Sequence, residues 1–278
     1  MPVQVITDST ADLPPDLARS LGIAVVPLTV HFGTETFLDG VTITPDAFYT
    51  RLQQERTLPK TTQPSIGTFL EFYRRCANSD GILSLHISSK VSGTYNSASQ
   101  AAQQLAGGCP IVVVDTLQAS LALGLVVLAA ARAVQAGATL SEAEEVARRT
   151  ARRCHLFGVL DTLDYLEKGG RIGRAAAFLG SVLQVKPILT LRDGEAYPLE
   201  RVRTRRRAVE RLVEITRQHA PLAQLAVAYS TTPEEAQHLA ERLQPFAPPQ
   251  GVLLGRFGAV LGTYLGPGAL GVALERAE

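Results

Sequence analysis

Two short apolar runs, Ile82-Leu83-Ser84-Leu85-His86-Ile87 and Ile111-Val112-Val113-Val114, most constrain what this chain can become. Neither alternates apolar with polar residues, so neither suits a sheet with one wet face. Strands of this kind are covered on both sides, which is the habit of parallel sheets whose crossover connections are helices. The flanking segments supply those helices. Val3 to Thr7 predicts a first strand, followed by a helix that Asp12 caps and Pro14-Pro15 open. Ile23 to Val30 predicts a second buried strand, and residues 31–41, with Gly33 and Asp39-Gly40, a hairpin or flap. Thr44-Pro45-Asp46 starts one helix and Ser65 caps another, which runs to about Ala77 with Ile66, Phe69, Leu70 and Tyr73 on one face. Lys60 to Ser65 reads as a polar loop before that cap.

Further along, helices are predicted around 116–136 and 141–153, then a strand from His155 to Leu160. Beyond Asp161 the style changes. Val185–Leu191 and Glu195–Val202 flank Arg192-Asp193-Gly194, a hairpin signal. A helix, a strand (Leu225–Tyr229), a helix, a strand (Val252–Phe257) and a last strand (Leu270–Leu274) follow. At 278 residues the chain has room for two domains. The expected fold is therefore α/β, with a parallel-sheet domain at 1–160, an α/β domain with a mixed sheet at 161–278, and segments that cross between them.

Composition narrows the function. Hydrophobic residues reach 46% and charged ones only 19%, which excludes a disordered, solvating chain. The formal net charge is +1, without the basic excess that nucleic-acid binding usually brings. Cys76, Cys109 and Cys154 are odd in number and far apart, so they read as buried thiols in a reducing compartment. The start, Met1 to Val5, has no signal-peptide character, and the apolar stretch Ala119–Ala131 is too short to span a bilayer. A cytoplasmic protein with no transmembrane segment is expected.

Three segments carry chemistry. Ser88 to Tyr95 joins the carboxyl end of a strand to a helix start, where free N–H groups and the helix dipole favour a carboxylate or phosphate. A capping serine fits Ser92 as well as an anion-binding one does. Lys60-Thr61-Thr62-Gln63-Pro64-Ser65 offers more hydroxyls, with the same two readings, and so does Asp8-Ser9-Thr10. Lys168-Gly169-Gly170-Arg171 and the run Arg201 to Arg207 suit an anion clamp or a solvated charged face. The pattern Gly266-x-Gly268-x-x-Gly271 lies too near the end for a dinucleotide fold, so 262–268 is read as a tight loop. There is no GxSxG, no phosphate-loop signature and no HExxH, and His86 reads as a core histidine. A Ser92/His86 hydrolase pair rests on spacing alone.

Six segments in order resemble the DegV family, which includes the fatty-acid-binding subunit of bacterial fatty acid kinase. They are Thr7 to Leu13, Thr61 to Ser65, Ile87 to Tyr95, Tyr165 to Ile172, Arg201 to Thr204 and Gly262 to Ala269. The resemblance covers nearly the whole chain. It implies two α/β domains enclosing one long-chain fatty acid such as palmitate, with no cofactor, no metal and no catalytic residue. By similarity Ser92 and Thr61 or Thr62, with Thr62 favoured, would hold the carboxylate, while Gly93 and Thr94 offer N–H groups. Arg171, Arg203 and Lys168 would face phosphate or a separate ATP-dependent fatty acid kinase. Relatives carry histidine in the pattern Gly-Thr-His-x-Gly-Pro-Gly; here Tyr264 stands in its place. A phenol donates a hydrogen bond but brings no imidazolium charge, which bears on handover to a kinase more than on lipid binding. The alternatives are a lipid carrier with no kinase partner and a Ser92-dependent acyl hydrolase.

Overall fold

A computed structural model describes residues 2–55, 57–179 and 185–277. The strands begin with β1 (Gln4–Asp8), β2 (Ala24–Val26), β3 (Thr29–Phe32), β4 (Glu35–Leu38) and β5 (Lys60–Thr62). They continue with β6 (Ile82–His86), β7 (Ile111–Asp115), β8 (Cys154–Val159), β9 (Lys186–Arg192) and β10 (Glu195–Val202). The last are β11 (Leu222–Tyr229), β12 (Leu253–Arg256) and β13 (Leu270–Arg276). Between them run α1 (Pro15–Ser20), α2 (Pro45–Gln54), α3 (Ile66–Arg75), α4 (Thr94–Gln104) and α5 (Ser120–Gln135). The remaining helices are α6 (Leu140–Arg153), α7 (Asp164–Gly169), α8 (Arg205–His219), α9 (Pro233–Leu243) and α10 (Ala259–Leu265).

The fold is α/β. A parallel sheet has the order β2-β1-β6-β7, and a mixed sheet of six strands has the order β10-β9-β8-β13-β11-β12. In the mixed sheet only the β11–β12 pair is parallel. The strand β8 hydrogen-bonds into this sheet although it precedes residue 160. A small antiparallel sheet, β4-β3-β5, covers one side.

Several elements differ from expectation for local reasons. The run from Ile23 to Val30 is two strands, because Pro27 has no N–H to continue the ladder; β2 stays in the parallel sheet and β3 leaves for the small one. The polar segment Lys60–Thr62 is no loop but strand β5, paired to β3. The segment 262–268 is likewise mostly helix, since α10 runs to Leu265 before Gly266 turns the chain. Asp12 does not cap α1, whose N-cap is Pro14; it sits in the left-handed region with φ 51° and turns its carboxylate inward. Cys154 is buried as expected, but Cys76 and Cys109 are only half-buried, and all three are free. The Asp193-Gly194 hairpin forms as read, both residues having positive φ, as the matching two-residue turn requires.

Helix α5 is the hub. It is buried along Ser120 to Leu128 and packs on both large sheets, which explains its nearly unbroken apolar sequence. Among the described residues no helix is long and apolar enough to cross a membrane. The mixed sheet is lopsided. Towards α8 and α9 it presents large side chains, Phe157, Val159, Leu225, Val227, Leu270, Val272 and Leu274. Towards α5 it presents Gly158, Ala226, Ala228, Ala269, Gly271 and Ala273. Small residues there leave space between sheet and helices.

Candidate functional site: an apolar cavity with a hydroxyl cluster

That space is a cavity of about 1080 Å³, counting the solvent at its opening. Its walls come from the mixed sheet, from the segments that follow β1 and β6, from β5, from α10 and from the start of α5. Most are aliphatic: Leu28, Ile87, Val91, Leu160, Leu189, Leu191, Val260 and Leu261. Among the described residues Arg171 is the one charged residue in the lining. Three of the hydroxyls on the wall already have partners in the protein. Thr10 donates to Asp8, Ser120 donates to Asp12 Oδ2 at 2.6 Å, and Thr190 donates to the Leu156 carbonyl at 2.9 Å.

The other polar groups gather at one place. Strand β5 pairs with β3 so that Val30 faces Thr61, and the pleat then turns Thr61 inward and its neighbours out. The Thr61 hydroxyl and the Tyr264 phenol are 2.5 Å apart. Arg171 lies over the Tyr264 ring, 5.0 Å from its centre, and donates to the Gly169 carbonyl at 2.9 Å. Tyr264 can sit there because Gly169 has no side chain; a Cβ would come within 2.4 Å of the ring. Ser92 completes the group. Its hydroxyl is 2.9 Å from Thr94 Oγ1 and accepts from the Thr94 N–H at 3.3 Å. Gly93, the N-cap of α4, touches Gln63, where a Cβ would meet the amide at 2.4 Å. Ser92, just before α4, thus shares the cavity lining with Thr61 and Tyr264, and the free N–H groups and dipole at the start of α4 favour an anion near it.

The expected site residues divide. Ser92, Thr61, Tyr264 and Arg171 line the cavity, with Gly93 and the buried Thr94 directly behind Ser92. Thr62, the favoured threonine, points away: it is exposed, and its hydroxyl is 3.1 Å from His31 Nε2. Lys168 and Arg203 are exposed and lie outside the lining. Gln63 and Ser120 were not singled out as cavity residues, although Gln63 stands beside the threonine pair.

No hydrolytic pair forms. His86 is fully buried, its Nδ1 2.9 Å from Asp8 Oδ2 and its Nε2 2.7 Å from Ser84 Oγ, so it does not serve Ser92 as a base. The Asp8–His86–Ser84 chain has no exposed atom for a substrate to reach, and Tyr73 donates to Ser84 at 3.0 Å. It ties strand ends together. Among the described residues no cluster of three or more His, Cys, Asp or Glu is placed to hold a metal. Within the arginine run, Arg205 forks onto Glu235, Arg206 approaches Glu210 and Arg207 meets Glu214.

Behind the wall, Asp12 accepts from Ser120 and from the Gly258 N–H at 2.9 Å, and Asp39 accepts from the Ala259 N–H at 2.8 Å. Burial pushes both carboxyls above their usual range, Asp12 well above it, although these hydrogen bonds pull the other way.

The chain resembles known proteins over its full length. A DegV domain-containing protein of Streptomyces coelicolor is 42% identical, with 98% of each chain covered. The protein DegV of Bacillus subtilis is 35% identical, again over 98% of each. A DegV family protein from Thermus thermophilus, reported as fatty acid binding, superposes with a TM-score of 0.92 at 35% identity and full coverage of both chains. The structure of Bacillus subtilis DegV, reported as a fatty acid binding protein, gives 0.89 at 32% identity, with both chains fully covered. The family model described as "Uncharacterised protein, DegV family" matches residues 2–277, and this chain belongs to that family.

Proposed function

We propose that this protein binds one long-chain fatty acid in the cavity and carries it, without catalysing a reaction on its own. The observation that carries the reading is the pairing of an aliphatic cavity with one cluster of Thr61, Ser92, Tyr264 and Arg171 beside the start of α4. A carboxylate fits that cluster and an acyl tail fits the rest. Magnitudes assign the roles. About fifteen buried methylenes at roughly 0.8 kcal/mol each contribute on the order of 12 kcal/mol gross, while a hydrogen bond to a charged group nets about 1.5–3 kcal/mol. The tail sets affinity and the head group sets orientation. The fatty acids reported for the Thermus and Bacillus proteins support the same ligand here.

The finer reading concerns handover. Arg171 stands at the cluster, and Arg203 and Lys168 are exposed. On this reading they face the phosphate of an acyl phosphate, or a separate ATP-dependent fatty acid kinase in the cytoplasm, with the chain divided near residue 160 into two domains around the ligand and β8 crossing into the sheet of the second. A carrier with no kinase partner is the alternative, favoured by Tyr264, which brings no imidazolium charge to the head group.

Native mass spectrometry of freshly purified protein tests the main reading. The expected result is an adduct of fatty-acid mass that is released on denaturation. A bare protein that also refuses added palmitate would overturn it.

A further inference from the structure

The mixed-sheet wall of the cavity has a gap at its middle. Along β8 side chains alternate between faces, so Leu160, Gly158 and Leu156 share the cavity side while Phe157 and Val159 pack towards α8. Beyond Leu160 the chain continues to α7 and Arg171, and α7 packs on α10, which carries Tyr264. Passing from Leu160 to Gly158 to Leu156 therefore leads away from the hydroxyl cluster, about 7 Å at each step. Gly158 lies beside Leu189 on one side and Gly271 on the other. The deeper section has large side chains again, Leu156 and Leu191, with Ala196 opposite Leu191.

The two glycines of this row differ. A Cβ on Gly271 would press on Phe257 at 3.2 Å and on the Phe157 carbonyl at 3.3 Å, so the backbone there is crowded. A Cβ on Gly158 would meet only the Leu270 carbonyl, at 3.7 Å, an ordinary contact. Its φ is not in the left-handed region either. Neither conformation nor crowding calls for glycine at 158, and glycine weakens a strand interior. What the missing side chain provides is open cavity.

We propose that Gly158 is a specificity-determining residue: by carrying no side chain it keeps the cavity open past its midpoint, so that a long acyl tail reaches the section walled by Leu156, Leu191 and Ala196. The inference rests on the fatty-acid reading and deepens it, naming long-chain over medium-chain acids as the substrate class. A Leu at 158 would stand across the path and leave only the part near the head group.

Delipidated wild type, Gly158→Ala and Gly158→Leu are titrated with decanoate and palmitate by calorimetry, and their folds are compared by circular dichroism. Each excluded methylene is worth roughly fourfold in affinity, so excluding the roughly six carbons by which palmitate outreaches decanoate weakens palmitate by about a thousandfold or more. Decanoate is expected to stay within about threefold, because it ends near the obstruction, and Gly158→Ala within about threefold for both acids. Should Leu disturb the sheet, Gly158→Val, a residue strands favour, gives the same shift in smaller measure. A folded Leu or Val variant that binds palmitate like wild type overturns the inference alone, as does equal loss of both acids. Wild type that binds neither acid overturns the fatty-acid reading and this inference with it.

Discussion

Thr61 and Thr62 are the same residue type one position apart, and only the pleat of β5 separates their roles. Thr61 meets Tyr264 at the cavity; Thr62 meets His31 outside it. Removing the Thr61 hydroxyl is expected to weaken fatty acid binding by about tenfold, the lower end of what a hydrogen bond to a charged group is worth, since Tyr264 is then free to serve the carboxylate alone. Thr62→Ala is expected to change it by less than about twofold. Displacement of a fluorescent fatty acid from both variants checks this, and the opposite ranking would mean that the carboxylate lies elsewhere. For the threonine of the proposed head-group site, the sequence pointed to this pair and favoured Thr62. Which of the two turns inward depends on β5 pairing with β3 in the register that sets Val30 against Thr61, a contact between segments about thirty residues apart that no local pattern encodes. That Ser92 and Gly93 stand at the start of α4 was legible because a strand end, a small-residue loop and a helix start are consecutive in the chain.

At the scale of elements, what was legible was what is local: the non-alternating strands β6 and β7, the caps Thr44 and Ser65, the hairpin turn at Asp193-Gly194. What was missed depends on partners far away. Asp12 looked like a cap for α1, yet it serves the junction of α5 and α10 by taking hydrogen bonds from Ser120 and the Gly258 N–H. That junction makes a pH prediction. Asp12's carboxyl is raised in the folded protein, mainly by burial, above an unfolded value near 3.9. The stability it contributes is thus fully present below about pH 4 and is lost as pH rises through the folded value. Asp12→Asn keeps an acceptor for Gly258, suits the left-handed backbone at this position, and has no charge to bury. Its urea midpoint is expected to exceed that of wild type by a margin that widens from pH 4.5 towards neutrality. A constant or shrinking margin would mean that the buried carboxylate is ionised and held by its two donors.

The whole molecule is organised around an asymmetry in one sheet. Strands β8, β11 and β13 put most of their large residues on the α8 and α9 side, while the side facing α5 is mostly small, with Leu156 and Gln224 as exceptions. A sheet packed this way buries one tight core and leaves a second space that the chain's own side chains do not fill. An unfilled apolar space forfeits contacts that a close-packed interior would have, so the folded protein without ligand is less stable than its size suggests, and a molecule occupying the cavity restores those contacts. A ligand that binds the folded state and not the unfolded chain stabilises it by mass action. At free palmitate a hundredfold above Kd the gain is about 2.7 kcal/mol. For a chain of this length that corresponds to a rise in Tm of roughly 5 °C. Scanning calorimetry of protein stripped of lipid, then reloaded with palmitate, checks it. The expected trace shows one transition moving upward with palmitate concentration and returning when the lipid is extracted. An unchanged Tm across that range, with the protein demonstrably folded and the acid demonstrably free, would mean that the space between the sheet and α5 closes on itself in solution and holds no acyl chain.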